Sequence, residues 1–395
     1  MKIALLTSGI VPVPAVQGGA VETLIDFYLD YNNRHHLHDI TVYSVYHPNV
    51  DIHPALRSEV NHYRYIKTDT LMGKLRKRLY KWKNPKGYYY YTIEYFANQV
   101  ANLLKKEHYD MILIENRPGY ALQLANKTNA RLVYHLHNGK LDTTVAHHQE
   151  IYDAASRIIS VSDFITNRVK TINPQDTKCV TVHNGIDLKA FHPSSQSAIS
   201  RDKLNFEEDD FVMAFNGKVN PEKGLMELVQ AMKLLSDYPK IKLMAMGSTF
   251  YGANTYNDHP YAAKLLNEAK PVQQRITFTS FVPYEKIPDY LRLADVSIIP
   301  SVWDDPFPTT VLEAQALGLP IITTRRGGIP EEVSEANAIL LNTDEHFVEN
   351  LAATILNLYE NPEKRNLMAT ASAGRAKLFE KDMFARNFFA ALENA

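Results

Sequence analysis

A chain of 395 residues is longer than a single hydrophobic core ordinarily fills, so two domains of common size are the first expectation. Its 45% apolar and 22% charged residues describe a soluble globular protein, its lone cysteine, Cys179, excludes an internal disulfide framework and fits a reducing, cytoplasmic setting, and no stretch approaches the roughly 18 uninterrupted apolar residues of a membrane span. The net charge of −1 sums two unequal halves, 23 Lys/Arg against 17 Asp/Glu over residues 1–190 (+6) and 20 against 27 over residues 191–395 (−7). No nucleic-acid partner is expected.

The N-terminal MKIALLTSGIVPVP has one basic residue before a short apolar run, as a signal peptide does. The run breaks at Pro12 and Pro14 without a cleavage-type ending and reads as a first buried strand. The next loop enters a helix through Gly18–Gly19. Adjacent glycines let backbone approach a ligand closely, and the helix N-terminus beyond them offers unpaired N–H groups to an anion; a flexible helix entry is the alternative. The spacing G-x-G-x-x-G is absent, which disfavours a nicotinamide oxidoreductase.

Seven Lys/Arg and no acid stand between Lys74 and Lys86, the source of the basic excess. On a helix, Leu71, Leu75, Leu79 and Trp82 share one face, and Lys74, Arg76, Lys77, Arg78 and Lys81 lie mostly around the other. That is the pattern of a helix lying on an anionic membrane surface, with Tyr88–Tyr91 suited to the headgroup level. An ordinary amphipathic helix covering the sheet would share it.

Short apolar runs alternate with longer stretches of helical period: KIALLTS, ITVYSVY, MILIE, RLVYHLH and RIISVS, then FVMAFNG, KLMAMGS, ITFTSF, VSIIPS and PIITT. Continuous apolar runs are what strands buried on both faces require, so the pattern predicts an α/β chain of two Rossmann-like, doubly wound domains. They span residues 1–190 and 196–376, joined through the small, polar Lys189–Ser200, with a helical tail over 377–395. Ligands of such sheets bind beyond the carboxyl ends of the strands. One such end is His135–Leu136–His137–Asn138–Gly139, which places His137 for a polar contact to a sugar or phosphate, or as a structural histidine; a metal site would need further ligands that do not stand nearby in sequence.

In the second half, FNGKVNPEKGL delivers Lys218 and Lys223 to one strand-end loop, a pairing suited to a diphosphate. The phosphate-loop order G-x-x-x-x-G-K-[ST] is absent. Further on, Asp305 lies on a loop and Glu313 within the helix that follows, so that one carboxylate can hold a hexose and the other a ribose. Thr309 and Thr310 fall where helix N-terminal N–H groups meet a phosphate, and Trp303, Phe307 and two prolines are expected to enclose the loop.

Taken together, GGAVE, HLHN, IISVSDFI, VHNGIDLKAF, GKVNPEKG, SFVPYEKIPDYL, DPFPTTVLEAQALGLPII and GGIPE resemble the retaining, GT-B-fold glycosyltransferases of family four, nearest to cell-surface polysaccharide and spore-coat-type members by ENRPGY and GSTFYGANTYND. The resemblance implies two such domains facing across a cleft, with a C-terminal helix returning to the first. It also implies transfer of a hexose or N-acetylhexosamine, with retention, from a nucleoside diphosphate sugar, usually UDP-linked, to a cell-surface glycan or lipid-linked acceptor. By position, Lys218 and Lys223 resemble the diphosphate grip, Glu313 the ribose carboxylate and Asp305 the hexose carboxylate. Gly19 resembles the glycine over the phosphates, Val282 the backbone contact to the base, and His137 the histidine near the reacting sugar.

Two departures stand out: Lys218 where arginine is usual, losing the bidentate fork, and Asp305 where glutamate is usual, one methylene shorter. No metal or cofactor is expected, because the lysines and a helix N-terminus supply the charge that a departing diphosphate needs. The other readings are a catalytically silent partner protein and a sugar-nucleotide epimerase on the same fold. The loop over 247–260 is a further candidate for shaping donor or acceptor choice.

Overall fold

A computed structural model describes residues 1–68, 70–194, 196–248 and 260–394; most of the 247–260 loop therefore lies outside the described residues. The chain divides into two compact units, one formed by Met1–Asn184 with Asp382–Ala395, the other by Gly185–Lys381.

The first unit carries a seven-stranded sheet of β1 (Lys2–Leu6), β2 (Asp39–Val45), β3 (Asn61–Ile66), β4 (Met111–Glu115), β5 (Arg131–Leu136), β6 (Ala155–Ser160) and β7 (Cys179–Thr181), in the order β3-β2-β1-β4-β5-β6-β7. The second carries β8 (Phe211–Asn216), β9 (Ile241–Met246), β10 (Ile276–Ser280), β11 (Val296–Ile299), β12 (Ile321–Thr324) and β13 (Ala338–Leu341), in the order β10-β9-β8-β11-β12-β13. All the pairings are parallel. Both orders reverse direction once, between β1 and β4 and between β8 and β11. At such a reversal the connections on either side leave for opposite faces of the sheet, opening a crevice where ligands bind.

Ten of the strands coincide with the continuous apolar runs of the sequence. The other three, β3, β7 and β13, lie at sheet edges. An edge strand pairs on one side only and is less fully covered, so NHYRYI and CVT carry no continuous apolar run, whereas AILL is apolar at all four positions and is simply short.

The boundary between units differs from the one read from composition. It falls at Asn184–Gly185, upstream of Lys189–Ser200, because the entry and exit segments of the second unit are laced together. The Ile186 N–H donates to the Phe379 carbonyl (2.7 Å), the Lys381 N–H to the Ile186 carbonyl (3.0 Å), and Lys381 Nζ pairs with Asp187 Oδ2 (2.6 Å). The small, polar stretch is itself packed on the second unit: Arg292 donates to the carbonyls of Ala190 and His192, and Ser197 Oγ to that of Asp289.

The tail is likewise split. The turn Lys377–Phe379 stays with the second unit, whereas the helix Lys381–Glu393 enters the first. Phe384, Phe388, Phe389 and Leu392 recur at helical spacing, and all four are buried in the core beneath the helix Ala20–His35. The Phe388 ring stacks on Tyr28 with centroids 4.3 Å apart. Burying a phenylalanine stabilises by about 1.5–3 kcal/mol, so this helix is a structural member of the first unit.

Candidate active site

The two loops that flank the reversal in the second sheet bring its singled-out residues together. After β8, the chain passes Gly217 and the exposed Lys218, then makes a short turn over Pro221–Lys223. Gly224 ends that turn with φ 73°, and a Cβ there would lie 1.8 Å from the Pro300 carbonyl oxygen, so only glycine lets this loop close on the strand end of β11. The closure sets Lys223 Nζ in an ion pair with Asp305, on the loop after β11.

Asp305 is buried and held by its backbone: its N–H donates to the Trp303 carbonyl (2.9 Å), and its carbonyl accepts from the Gly328 N–H (2.8 Å). Gly327, with φ 56°, packs where a Cβ would be 2.1 Å from the Asp305 carbonyl oxygen. The enclosure differs from expectation. Phe307 is buried, but Trp303 is 39% exposed and so encloses the loop only in part.

The helix Thr309–Ala316 begins after Pro308 with no side-chain cap, leaving the first-turn N–H groups of Thr309 and Thr310 available to an anion. Glu313, one turn in, is buried and accepts from Asn216 Nδ2 at 2.6 Å. Burial pushes its carboxyl up to about 7 against the opposing hydrogen bonds from Thr309 and Asn216. Val282 is buried two residues past β10. Its neighbour Tyr284 feels Glu313: burial first, and then that carboxylate, push the phenol well above its usual range.

Sequence reasoning did not single out Asn216 or Glu332. Asn216 is the last residue of β8 and the partner of Glu313. Glu332 is fully buried, and neither of its carboxyl oxygens has a hydrogen-bond partner among the described residues. Burial, then the nearby Asp305, push it well above the usual carboxylate range, which favours the uncharged acid beside the Lys223–Asp305 pair. The doublet Glu331–Glu332 after GGIP was the available signal.

In the first unit, Gly18 (φ 74°) and Gly19 (φ 116°) lead into the helix Ala20–His35 as expected. Glu22, in its first turn, is buried, and burial raises its carboxyl to about 7. His137 follows β5 with its side chain 5% exposed, and Glu115, at the end of neighbouring β4, contacts both histidines of the HLH run. Glu115 closes the apolar run MILIE, and a lone carboxylate in that place was its signal. Glu115, His135 and His137 offer three atoms within 4.8 Å, the composition of a metal site, and the carboxylate lies within hydrogen-bond distance of both imidazoles and accepts from Tyr28. The basic helix Leu71–Lys83 leaves its apolar face uncovered: Leu71 is 88% exposed and Trp82 78%, with Met72, Leu75 and Leu79 also exposed.

Residues 36–190 match the family model described as Glycosyltransferase Family 4, and residues 196–375 the one described as Glycosyl transferases group 1. The chain belongs to glycosyltransferase family 4. This family 4 chain is 27% identical over 388 residues to the spore coat protein SA of Bacillus subtilis, covering 95% of each. It is 27% identical over 243 residues to the lipopolysaccharide 1,2-N-acetylglucosaminetransferase of Salmonella typhimurium, covering 60% of this chain and 61% of that one. Among solved structures, the Anabaena protein Alr3699/HepE in complex with UDP-glucose superposes with a TM-score of 0.76 at 21% identity, each chain covered in full, a likeness of fold. The family 4 GT-B architecture thus accounts for both sheets and for the returning C-terminal helix.

Proposed function

We propose that the chain is a retaining, metal-independent hexosyl- or N-acetylhexosaminyltransferase that draws on a nucleoside diphosphate sugar, UDP-linked, and glycosylates a cell-surface glycan or lipid-linked acceptor. The observation that carries this reading is the pairing at the reversal of the second sheet, Lys223 with Asp305 and Asn216 with Glu313. It offers one cation to a diphosphate and two carboxylates to hydroxyls at separate points along an extended ligand. Lys218, on the same loop, adds a second cation, and the uncapped start of the helix Thr309–Ala316 adds N–H groups. Developing charge on a departing diphosphate is stabilised by such fixed donors and cations.

In this reading Glu313 holds the ribose, Asp305 the hexose and the Val282 backbone the base, while Gly18 and Gly19 stand over the phosphates. His137 contacts the sugar being transferred. The UDP-glucose bound by HepE supports a UDP-linked donor, and the N-acetylglucosamine named for the Salmonella relative supports an N-acetylhexosamine as the sugar.

The test measures nucleoside diphosphate release from UDP-glucose, UDP-galactose, UDP-N-acetylglucosamine and GDP-mannose, with Lys223→Ala and Glu313→Ala as controls. A UDP-sugar is expected to turn over and both variants to fail. Absence of turnover and of binding for every donor would instead favour a silent partner protein.

We further propose that the helix Leu71–Lys83 seats the enzyme on an anionic bilayer on the cytoplasmic side. A helix that served to cover the sheet would bury its leucines; here they face solvent beside seven cations over Lys74–Lys86. Each basic residue near an anionic surface contributes about 1 kcal/mol. Replacing Lys74, Arg76, Lys77, Arg78 and Lys81 with glutamine should therefore weaken co-sedimentation with phosphatidylglycerol vesicles by more than about a hundredfold. Equal binding to phosphatidylcholine vesicles, or no change on substitution, would remove the proposal.

A further inference from the structure

Glu115 stands at the centre of a network around His137, and nothing above gives it a role. The carboxylate lies wholly inside the first unit at the reversal between β1 and β4, and three side chains reach its oxygens. Tyr28 Oη donates to Oε1 at 2.8 Å, His135 Nδ1 lies 3.1 Å from the same oxygen, and His137 Nε2 lies 3.0 Å from Oε2. Phe388 of the C-terminal helix closes the network, stacked on Tyr28 and 4.9 Å from the His135 ring. Asn116, next in sequence and left-handed at φ 59°, turns the chain so that its Oδ1 accepts from the backbone N–H of His137 at 3.3 Å. Backbone and ring of His137 are therefore both fixed from the end of β4.

The chemistry of the network decides where protons sit. Burial alone would raise the Glu115 carboxyl, but His135 and then His137 outweigh it and hold it at about 2. An ionised carboxylate only accepts, so the ring nitrogen of His137 that faces it, Nε2, must carry a hydrogen. Burial, followed by His135, pushes His137 down to about 4 against the pull of Glu115, so the ring carries one proton at neutral pH and not two. Its other nitrogen, Nδ1, is then a bare lone pair.

We infer that Glu115, braced by Tyr28, is a positioning residue that locks His137 in the Nε2–H tautomer and so makes His137 Nδ1 a hydrogen-bond acceptor for a sugar hydroxyl. A bare Nδ1 repels a phosphate oxygen and welcomes an O–H donor, so the ligand it selects is the sugar and not the diphosphate. The inference rests on the proposed role of His137 in the transfer reaction, and its test separates the two.

Long-range proton–nitrogen correlation spectra of the full-length, nitrogen-15-labelled protein at pH 7.5 report the His137 tautomer directly. The Nε2–H form is expected in the wild type; an Nδ1–H form, or a doubly protonated ring, overturns the inference whether or not any variant folds. In Glu115→Gln, which presents an amide with both donor and acceptor, the tautomer should become mixed, and Glu115→Asp should return it toward Nε2–H. With the donor of the panel above that turns over, Glu115→Gln should lower kcat by at least about tenfold, because a misplaced or wrongly protonated group loses that much, with KM changed less than about threefold. The loss in Glu115→Gln/His137→Ala should not exceed that in His137→Ala. Losses that multiply, or a His137 tautomer unmoved by Glu115→Gln, would remove Glu115 from the role. A tautomer shift combined with full turnover in His137→Ala would instead overturn the role of His137 and leave the grip of Glu115 on its ring intact.

Discussion

Lys223→Ala should lower kcat/KM for the sugar nucleotide by at least about a hundredfold and weaken binding of UDP itself. Two losses combine. A charge-assisted hydrogen bond to a diphosphate oxygen is worth about 1.5–3 kcal/mol, and each 1.36 kcal/mol is tenfold in rate. The second loss comes from what remains. Lys223 is the ion-pair partner of Asp305, whose side chain is 8% exposed, and without the lysine a buried carboxylate faces the incoming diphosphate with its charge uncompensated.

The second loss can be separated from the first by using UDP, which has no hexose for Asp305 to hold. In the Lys223→Ala background, Asp305→Asn should recover part of the lost UDP affinity, because it removes the repulsion without removing a ligand contact. In the wild-type background, the same substitution should cost UDP little and the sugar nucleotide more. Calorimetric titration of the four proteins checks this. A Lys223→Ala protein within threefold of wild type would sink the diphosphate role, and strictly additive free energies across the cycle would sink the coupling.

What the sequence makes legible follows burial and chain distance. Strands covered on both faces announce themselves as apolar runs, and Lys218, Lys223, Asp305 and Glu313 stand just past such runs, so their placement could be read without coordinates. The partners could not. Asn216 reaches Glu313 across 97 positions only because β8 lies beside β11, and strand order is set by packing rather than by any local pattern. Glu115 is hidden for the same reason: the meeting with His137 depends on β4 pairing with β5. The amphipathy of Leu71–Trp82 was plain, yet periodicity says only that a helix has an apolar face. Whether that face is covered depends on the rest of the fold, and here it is not.

Glu313 should make nucleotide affinity rise with pH through neutrality. In the free protein burial holds this carboxyl at about 7, so below that pH it carries a proton. Ribose hydroxyls donate hydrogen bonds, which favour the ionised carboxylate, so binding pulls the proton off and the bound-state value falls. The sign follows: a group whose value drops on binding costs affinity wherever it must first be deprotonated. UDP should bind progressively more weakly as pH falls below 7, approaching tenfold per unit, and the dependence should level off above about 8, where Glu313 is ionised in both states. UDP has its own phosphate titration near pH 6, which weakens binding in the same direction. Glu313→Gln isolates the protein's share, since the phosphate titrates identically against both proteins. The glutamine variant should bind UDP more weakly at pH 8 and show a flatter profile between pH 6 and 8, so that the two proteins converge at the acid end. Titration of the wild type at pH 7 in buffers of different ionisation enthalpy should report proton release, and Glu313→Gln should release correspondingly less. Parallel pH profiles would mean that the ribose is held by a carboxyl that keeps its proton, or is not held by Glu313 at all; either outcome would move the ribose contact to another residue.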